Sequence, residues 1–307
     1  MNFAEVINQL AVMMLIIALG FAAKKLKILN EDGDKTLASL VVNITSPLLI
    51  IFSKSSMPSG EVFGNVLAIA IMTVCSMLFS YFLASRAVLF VKSYSNEEKT
   101  IYRFSTVFGN ASFIGFPLCY ALFGNTGLLY ASIYSAIQDV FFWTLGVKIM
   151  TGGNFDGKLT KLLNPNIFAI VIGVVILVTG IQLPVFAQNT LSTVGNTTVP
   201  LALLVAGSGF QGFMIKSGSL KHFLLPTFLK LAAVPLLAVI ILTGLPIIDA
   251  VPKYVFLLEI SMPCAASIVV FARNYGRDHK LASEIFMFMT IASMVTIPLI
   301  VLLIKSL

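Results

Sequence analysis

The chain has 307 residues, 58% of them apolar and 11% charged, with a formal net charge of +7. A soluble domain averages about 45–50% apolar and about 25% charged residues, so this composition excludes an ordinary water-soluble fold. The positive charge does not indicate a nucleic-acid partner, because lysines and arginines are spread over many short segments instead of gathered on one face.

Apolar runs long enough to cross a hydrocarbon core of about 30 Å as helices recur along the whole chain. The first span is predicted near 6–23; the residues before it carry an acid and no Lys or Arg, and the basic cluster Lys24, Lys25, Lys27 follows it, which indicates a retained helix instead of a cleaved signal. The second, near 36–53, contains Asn43-Ile44-Thr45-Ser46-Pro47-Leu48, and the third runs over 63–91. The fourth, 104–122, is interrupted by Gly109-Asn110-Ala111-Ser112-Phe113-Ile114-Gly115-Phe116-Pro117, and the fifth, 127–148, carries Gln138-Asp139. A linker of about 16 residues, 149–164, leads to a sixth span at 165–183. The seventh, 189–210, contains Asn196-Thr197-Thr198-Val199-Pro200-Leu201; the eighth, 221–243, holds Lys230; the ninth, 253–272, reads Glu259-Ile260-Ser261-Met262-Pro263-Cys264 at its centre; the tenth is 282–304. The three cysteines, Cys75, Cys119 and Cys264, lie inside apolar runs without metal-type spacing and read as packing residues.

Loop charge tests this count. Sixteen of the twenty lysines and arginines fall after spans one, three, five, seven and nine, and Lys54, Lys253 and Lys305 fall on the other side. Cytoplasmic loops collect basic residues, so the alternation predicts a multi-pass protein of the plasma (inner) membrane with both termini extracytoplasmic.

The chain also repeats itself. The N-x-T-x-P-L segments at Asn43 and Asn196 lie 153 residues apart, each in the second span of its half, and Pro117 and Pro263 are centred in the fourth and ninth. Two five-span halves, 1–150 and 151–307, must enter the membrane in opposite senses. The fold class read from this is all-α integral membrane, ten transmembrane helices in two inverted five-helix repeats, with helices four and nine broken and crossed.

Freed backbone groups at two such breaks cannot face lipid and must meet protein or a watery cavity. The second half of each broken helix offers a positive N-terminal end suited to an anion, with Asn110, Ser112 and Ser261 as supplementary polar groups. Asp139, Lys230 and Glu259 are charges near mid-depth, where each costs about 2.5–3.5 kcal/mol or more unless paired or hydrated. Their signs predict an ion pair of Lys230 with Asp139 or Glu259, leaving one carboxylate for a proton or a sodium ion, with Gln138 as a neutral partner. That sodium, near Asp139 or Glu259, is the one metal considered; no cofactor is expected. Gly207-Ser208-Gly209-Phe210-Gln211-Gly212 fits a dinucleotide fingerprint in letters only, since it ends a membrane span.

On the segments from Gly109 to Pro117, at Asn164-Pro165, from Asn196 to Leu201 and at Met262-Pro263, the chain resembles the auxin efflux carrier family, including its bacterial malate and malonate permease-like members. The resemblance implies a scaffold part (spans one, two, six and seven), a transport part (three to five and eight to ten) and an organic-anion site beside the crossing. Asn110, Pro117 and Pro263 would line that site, with Ser112, Ser261 and Cys264 beside them. Asn43, Thr45, Pro47, Asn196, Thr198 and Pro200 would serve as hinge or support positions. The short linker lacks the long cytoplasmic loop of the plant carriers, so a small mono- or dicarboxylate suits this chain better than auxin. The expected partners are that anion, a coupling proton or sodium ion, and the lipid bilayer, with a homodimer compatible. A cation/proton antiporter, a bile-acid-type sodium symporter and a membrane ligand sensor stay open as alternatives; an enzyme is not expected, since no nucleophile is paired with a base.

Overall fold

The computed structural model describes residues 3–55, 62–153, 165–209, 220–243 and 249–305. The described residues are helical throughout, apart from turns and a single antiparallel bridge between Gly109 and Cys264.

Helix α1 (Phe3–Lys25) ends on Lys24 and Lys25, cations favoured at a negative helix end. Asn30 caps α2 (Glu31–Leu40) by accepting from the Gly33 N–H at 2.7 Å. The chain then widens into a π-helical turn, Val41–Thr45, and continues as α3 (Ser46–Ser55). Helix α4 (Val62–Phe90) and, after a capping box built by Ser95 and Glu98, α5 (Asn96–Val107) follow. A π-turn, Ala111–Gly115, opens α6 (Phe116–Phe141), and another, Phe142–Gly146, joins it to α7 (Val147–Thr151). The second half comprises α8 (Pro165–Thr179), α9 (Val185–Gly195), α10 (Thr198–Ser208), α11 (Leu220–Phe228), a π-turn at Leu229–Ala233, α12 (Val234–Thr243), α13 (Ala250–Ile260), α14 (Ser267–Asn274) and α15 (His279–Lys305).

Three of the π-turns have one cause. Pro47, Pro117 and Pro235 each stand two residues after a turn ends. A proline lacks the N–H for its helical bond and crowds the carbonyl four residues back, and widening the preceding turn relieves the clash without ending the helix. Prolines therefore mark widened turns here as well as breaks.

Gly124, at φ 59°, folds α6 back on itself. Residues eight apart in a straight helix are about 12 Å apart, yet a Cβ on Gly127 would fall 2.2 Å from the Cys119 carbonyl oxygen. The fourth and fifth predicted spans are the two arms of this hairpin.

Six described stretches are long and apolar enough to cross a membrane: Glu31–Phe52, Gly64–Phe90, Ala111–Thr151, Val185–Ser208, His222–Thr243 and His279–Leu303. The protein is thus a multi-pass membrane protein. Its surface is apolar where it meets lipid: Leu67, Ile71, Val74, Leu78 and Phe82 line the exposed face of α4 at helical spacing. Polar residues such as Gln138, Lys230 and Glu259 are inside. Glycines let backbones touch, as expected where lipid gives no hydrophobic reason for helices to associate. Gly20 and Gly207 bring α1 onto α10, and Gly195 brings α9 onto α3, which also packs on α8. A Phe104, Phe108, Phe142, Phe271 cluster, with ring centroids 4.2–5.7 Å apart, fills the space beside the Gly109–Cys264 bridge.

One face of the bundle gathers charge. Arg277 donates to the Met150 carbonyl at 2.7 Å and to Glu97 at 2.8 Å, and Glu98 meets His222 Nδ1 at 2.5 Å. Segments after the third, fifth, seventh and ninth predicted spans therefore touch one another, while Asn65 meets Asp249 at 2.7 Å at the other end of α4. Arg86 is inside α4 with its guanidinium 5.2 Å from the Phe82 ring centroid. Partial burial alone would raise the Glu98 carboxyl, but the Ser95 N–H, His222 and the Ser95 hydroxyl together hold it below the ordinary carboxylate range. A carboxyl lowered in the folded state stabilises the fold above its unfolded value and loses that contribution as pH falls through the folded value. Glu98→Gln is expected to lower stability by about 1 kcal/mol at neutral pH through the weakened cap. It should also remove part of the loss of melting temperature expected of the wild-type protein on acidification below about pH 4.5; identical acid profiles would refute the assignment.

Candidate functional site

Helix α5 stops at Val107, and Phe108 and Asn110 leave helical geometry before the chain resumes at Ala111. Helix α13 stops at Ile260, and α14 starts at Ser267. The two breaks cross and bond: Asn110 N–H donates to the Pro263 carbonyl at 2.7 Å, and Ala265 N–H donates to the Phe108 carbonyl at 3.0 Å. Gly109, between them, is capped by a side chain. Its N–H donates to Gln138 Oε1 at 3.1 Å, and its carbonyl accepts from Gln138 Nε2 at 2.9 Å. The Asn110 carbonyl accepts from the Ile114 and Gly115 N–H groups, and Phe108 N–H donates to Phe104. Every backbone polar group of the first break thus has a protein partner, the condition for irregular backbone inside a membrane.

This geometry revises the role of prolines and charges. Pro117 is the second residue of α6, outside the break, whereas Pro263 is in the second break and supplies a carbonyl to it. Gln138 bonds both backbone groups of Gly109 and so caps the break. Asp139, one residue on and so about 100° round the helix, is half-buried and turned away from the Gly109 contact.

Among the described residues, ion pairs join Lys24 with Asp34, Lys35 with Asp32, His222 with Glu98, and Arg277 with Glu97; Lys230 and Glu259 face each other without direct ion-pair contact. Lys230 is 1% exposed, in the π-turn that Pro235 imposes, and its ammonium reaches the Val107 carbonyl at 3.5 Å. A cation at the carbonyl end of a half-helix meets the negative end of its dipole, so the position suits the ammonium. A Cβ on Gly109 would lie 3.2 Å from Lys230 Nζ and 3.4 Å from the Glu259 carbonyl, so the ammonium approaches the crossing itself.

Glu259, 0% exposed, is on the last turn of α13. Its Oε1 accepts from the Cys119 thiol at 3.6 Å, and Oε2 has no partner. A Cβ on Gly115 would come within 2.4 and 2.6 Å of its two carboxyl oxygens, so the glycine of the π-turn makes the notch that admits the carboxyl.

Asn110 is 3% exposed, and its Nδ2 is a buried donor with no partner. Ser112 Oγ is 3.4 Å from Ser135 Oγ, while the Ser261 hydroxyl is spent on the Leu257 carbonyl of its own helix at 2.5 Å. Cys264 is buried, opposite Gly109 in the bridge. In the repeated segments Thr45 and Thr198 are buried with unpartnered hydroxyls, and Asn43 and Asn196 are exposed. Asn43 bonds back to Ser39, and Asn196 accepts from the Tyr120 hydroxyl at 3.3 Å. Pro47 is buried and Pro200 exposed. Sequence reasoning read Cys119 as a packing residue, placed Gly115 only within the interruption of the fourth span, and passed over Ser135. Only the meeting of distant helices gives them a role, and no spacing along the chain signals it.

The sequence profile of a family described as "Membrane transport protein" matches residues 5–160 and again 154–301. An uncharacterized transporter of Methanothermobacter thermautotrophicus is 26% identical over 294 residues, 93% of this chain and 94% of that protein. An uncharacterized transporter of Methanocaldococcus jannaschii is likewise 26% identical over 293 residues, 92% of this chain and 94% of its own. Two interrupted helices tied at a crossing, in a bundle with several membrane-length helices, accord with those descriptions. The chain is a membrane transporter and belongs to the membrane transport protein family, the auxin efflux carrier family that its crossing segments resemble.

Proposed function

We propose that the protein carries small organic anions, mono- or dicarboxylates such as malate or malonate, across the plasma membrane by alternating access. The observation that carries this reading is the unpartnered Nδ2 of Asn110, a buried donor at the start of a helical segment. The first N–H groups of a helix have no intrahelical acceptor, so Ala111 to Phe113 add a positive helix end beside that donor. A carboxylate complements both. Ser112 and Ser135 lie on the adjoining faces and suit the rest of a small polar substrate, and Pro117 and Cys264 shape the walls.

The ten-span, inverted-repeat arrangement belongs to the same reading. The packing of α1 on α10 and of α8 on α3 supports it, because a pseudo-twofold relation exchanges the first span of each half against the second span of the other. The contacts joining segments after the third, fifth, seventh and ninth spans support a common cytoplasmic face and extracytoplasmic termini. In this scheme spans one, two, six and seven form the scaffold, the crossing bundle moves against it, and the Asn43 and Asn196 segments bear the motion.

The test is uptake of labelled malate, malonate and a monocarboxylate into proteoliposomes. Asn110→Ala should remain folded and lose affinity about tenfold or more, the worth of one hydrogen bond to a charged group. Uptake by Asn110→Ala at the wild-type level would exclude this site, and cation-driven proton flux without any anion would favour an antiporter.

A further inference from the structure

We propose that Glu259 is the coupling-proton site of this transporter, protonated in the conformation described here, and that Lys230 makes its proton obligatory for anion binding. The inference rests on the organic-anion reading for its substrate, but the proton site stands on its own geometry. The Glu259 carboxyl is fully buried, receives one thiol hydrogen bond, has no partner on Oε2 and no cation in ion-pair contact. A bare carboxylate so placed is far more costly than a neutral acid. The Cys119 thiol occupies Oε1 as acceptor, so the proton resides on Oε2.

Among the described residues, the groups around it are few. Cys119 and Tyr134 face it from α6, and Lys230 from the π-turn before α12; Cys264, across the crossing, faces Lys230. Charge balance then dictates coupling. With Glu259 protonated, the crossing carries the single positive charge of Lys230, and one substrate carboxylate neutralises it. With Glu259 ionised, Lys230 is already neutralised, and an incoming anion would leave a net buried negative charge. The empty, protonated crossing described here is thus the form that attracts an anion, and the ionised form is the one that resists it. Anion and proton therefore favour each other's binding reciprocally and move in the same direction. Gly115 serves this site by leaving room for the carboxyl.

The test compares wild type with Glu259→Gln, which fixes the neutral form. Infrared spectra at neutral pH, without substrate, should show a protonated-carboxyl band that Glu259→Gln lacks and that Cys119→Ser shifts by placing a stronger donor on Oε1. Malate and malonate binding to wild type should weaken about tenfold per pH unit once Glu259 ionises, the slope of a single linked proton, and should be flat with pH in Glu259→Gln. In proteoliposomes an inward proton gradient should drive wild-type accumulation, while Glu259→Gln should exchange anion but not concentrate it. If the glutamine variant does not fold, the Cys119→Ser shift of the wild-type band decides the matter. The proposal is overturned by a carboxyl band indifferent to both substitutions, by equal response of wild type and variant to the proton gradient, or by accumulation driven by sodium and not by protons. A band that behaves as expected in a protein binding none of these anions would uphold the proton site and reject the anion reading instead.

Discussion

Gln138→Leu is expected to cost the protein about 2–6 kcal/mol, because a leucine of similar size leaves both backbone groups of Gly109 buried without partners, at about 1–3 kcal/mol each. A membrane offers no water to take their place. The helix carrying residue 138 would itself be undisturbed, since leucine is a strong helix former. The damage is therefore confined to the crossing: melting temperature in detergent falls steeply, and transport is lost with it. Gln138→Glu keeps an acceptor for the Gly109 N–H but removes the donor to its carbonyl, and should fall between wild type and leucine. An unchanged melting temperature for Gln138→Leu would mean that the Gly109 bonds hold nothing together.

Gly207→Val should be as severe for a different reason. A Cβ at 207 would stand 1.9 Å from the Ile17 carbonyl oxygen and 2.8 Å from its carbon. Ordinary overpacking costs about 1–3 kcal/mol because side chains can turn aside, but a main-chain carbonyl in the middle of α1 cannot. The helices must separate, and with them the contact that Gly20 makes with Leu204 from the other side. Loss of monodisperse protein is the expected result. Gly64 is exposed, and a Cβ added there would meet nothing within 4 Å, so it supplies the control: Gly64→Ala should melt at or slightly above the wild-type temperature. Equal behaviour of the two variants would remove close α1–α10 contact from the account.

Apolar runs and their flanking charges make the membrane-crossing character of this chain legible, since hydrophobicity is a property of each residue wherever it folds. The breaks are legible in kind but not in place. Pro117 points to an interruption that is centred at Gly109, because a proline can be absorbed by widening the turn before it, and whether it is absorbed depends on what packs alongside. Sign alone matches Lys230 with a carboxylate, yet the carbonyl end of α5 is also a negative partner, one carrying no charge that a sequence can display. Gln138 reads as a neutral partner without an address, because its bonding to a backbone 29 residues away leaves no trace in spacing. Asn110 and Glu259 stand out for a sounder reason: an amide and an acid in the middle of apolar runs must be answered by something.

The tie between the two breaks is made by main-chain atoms of Phe108, Asn110, Pro263 and Ala265, so no particular side chain encodes it. Shifting either extended segment by a single residue would turn its side chains to the opposite face, as in any paired strand, and would carry Asn110 away from its present side. Descent can therefore exchange letters at these positions far more freely than it can insert or delete one. Spacing between the helix ends, more than the identity of the residues that span it, is what heredity must guard here.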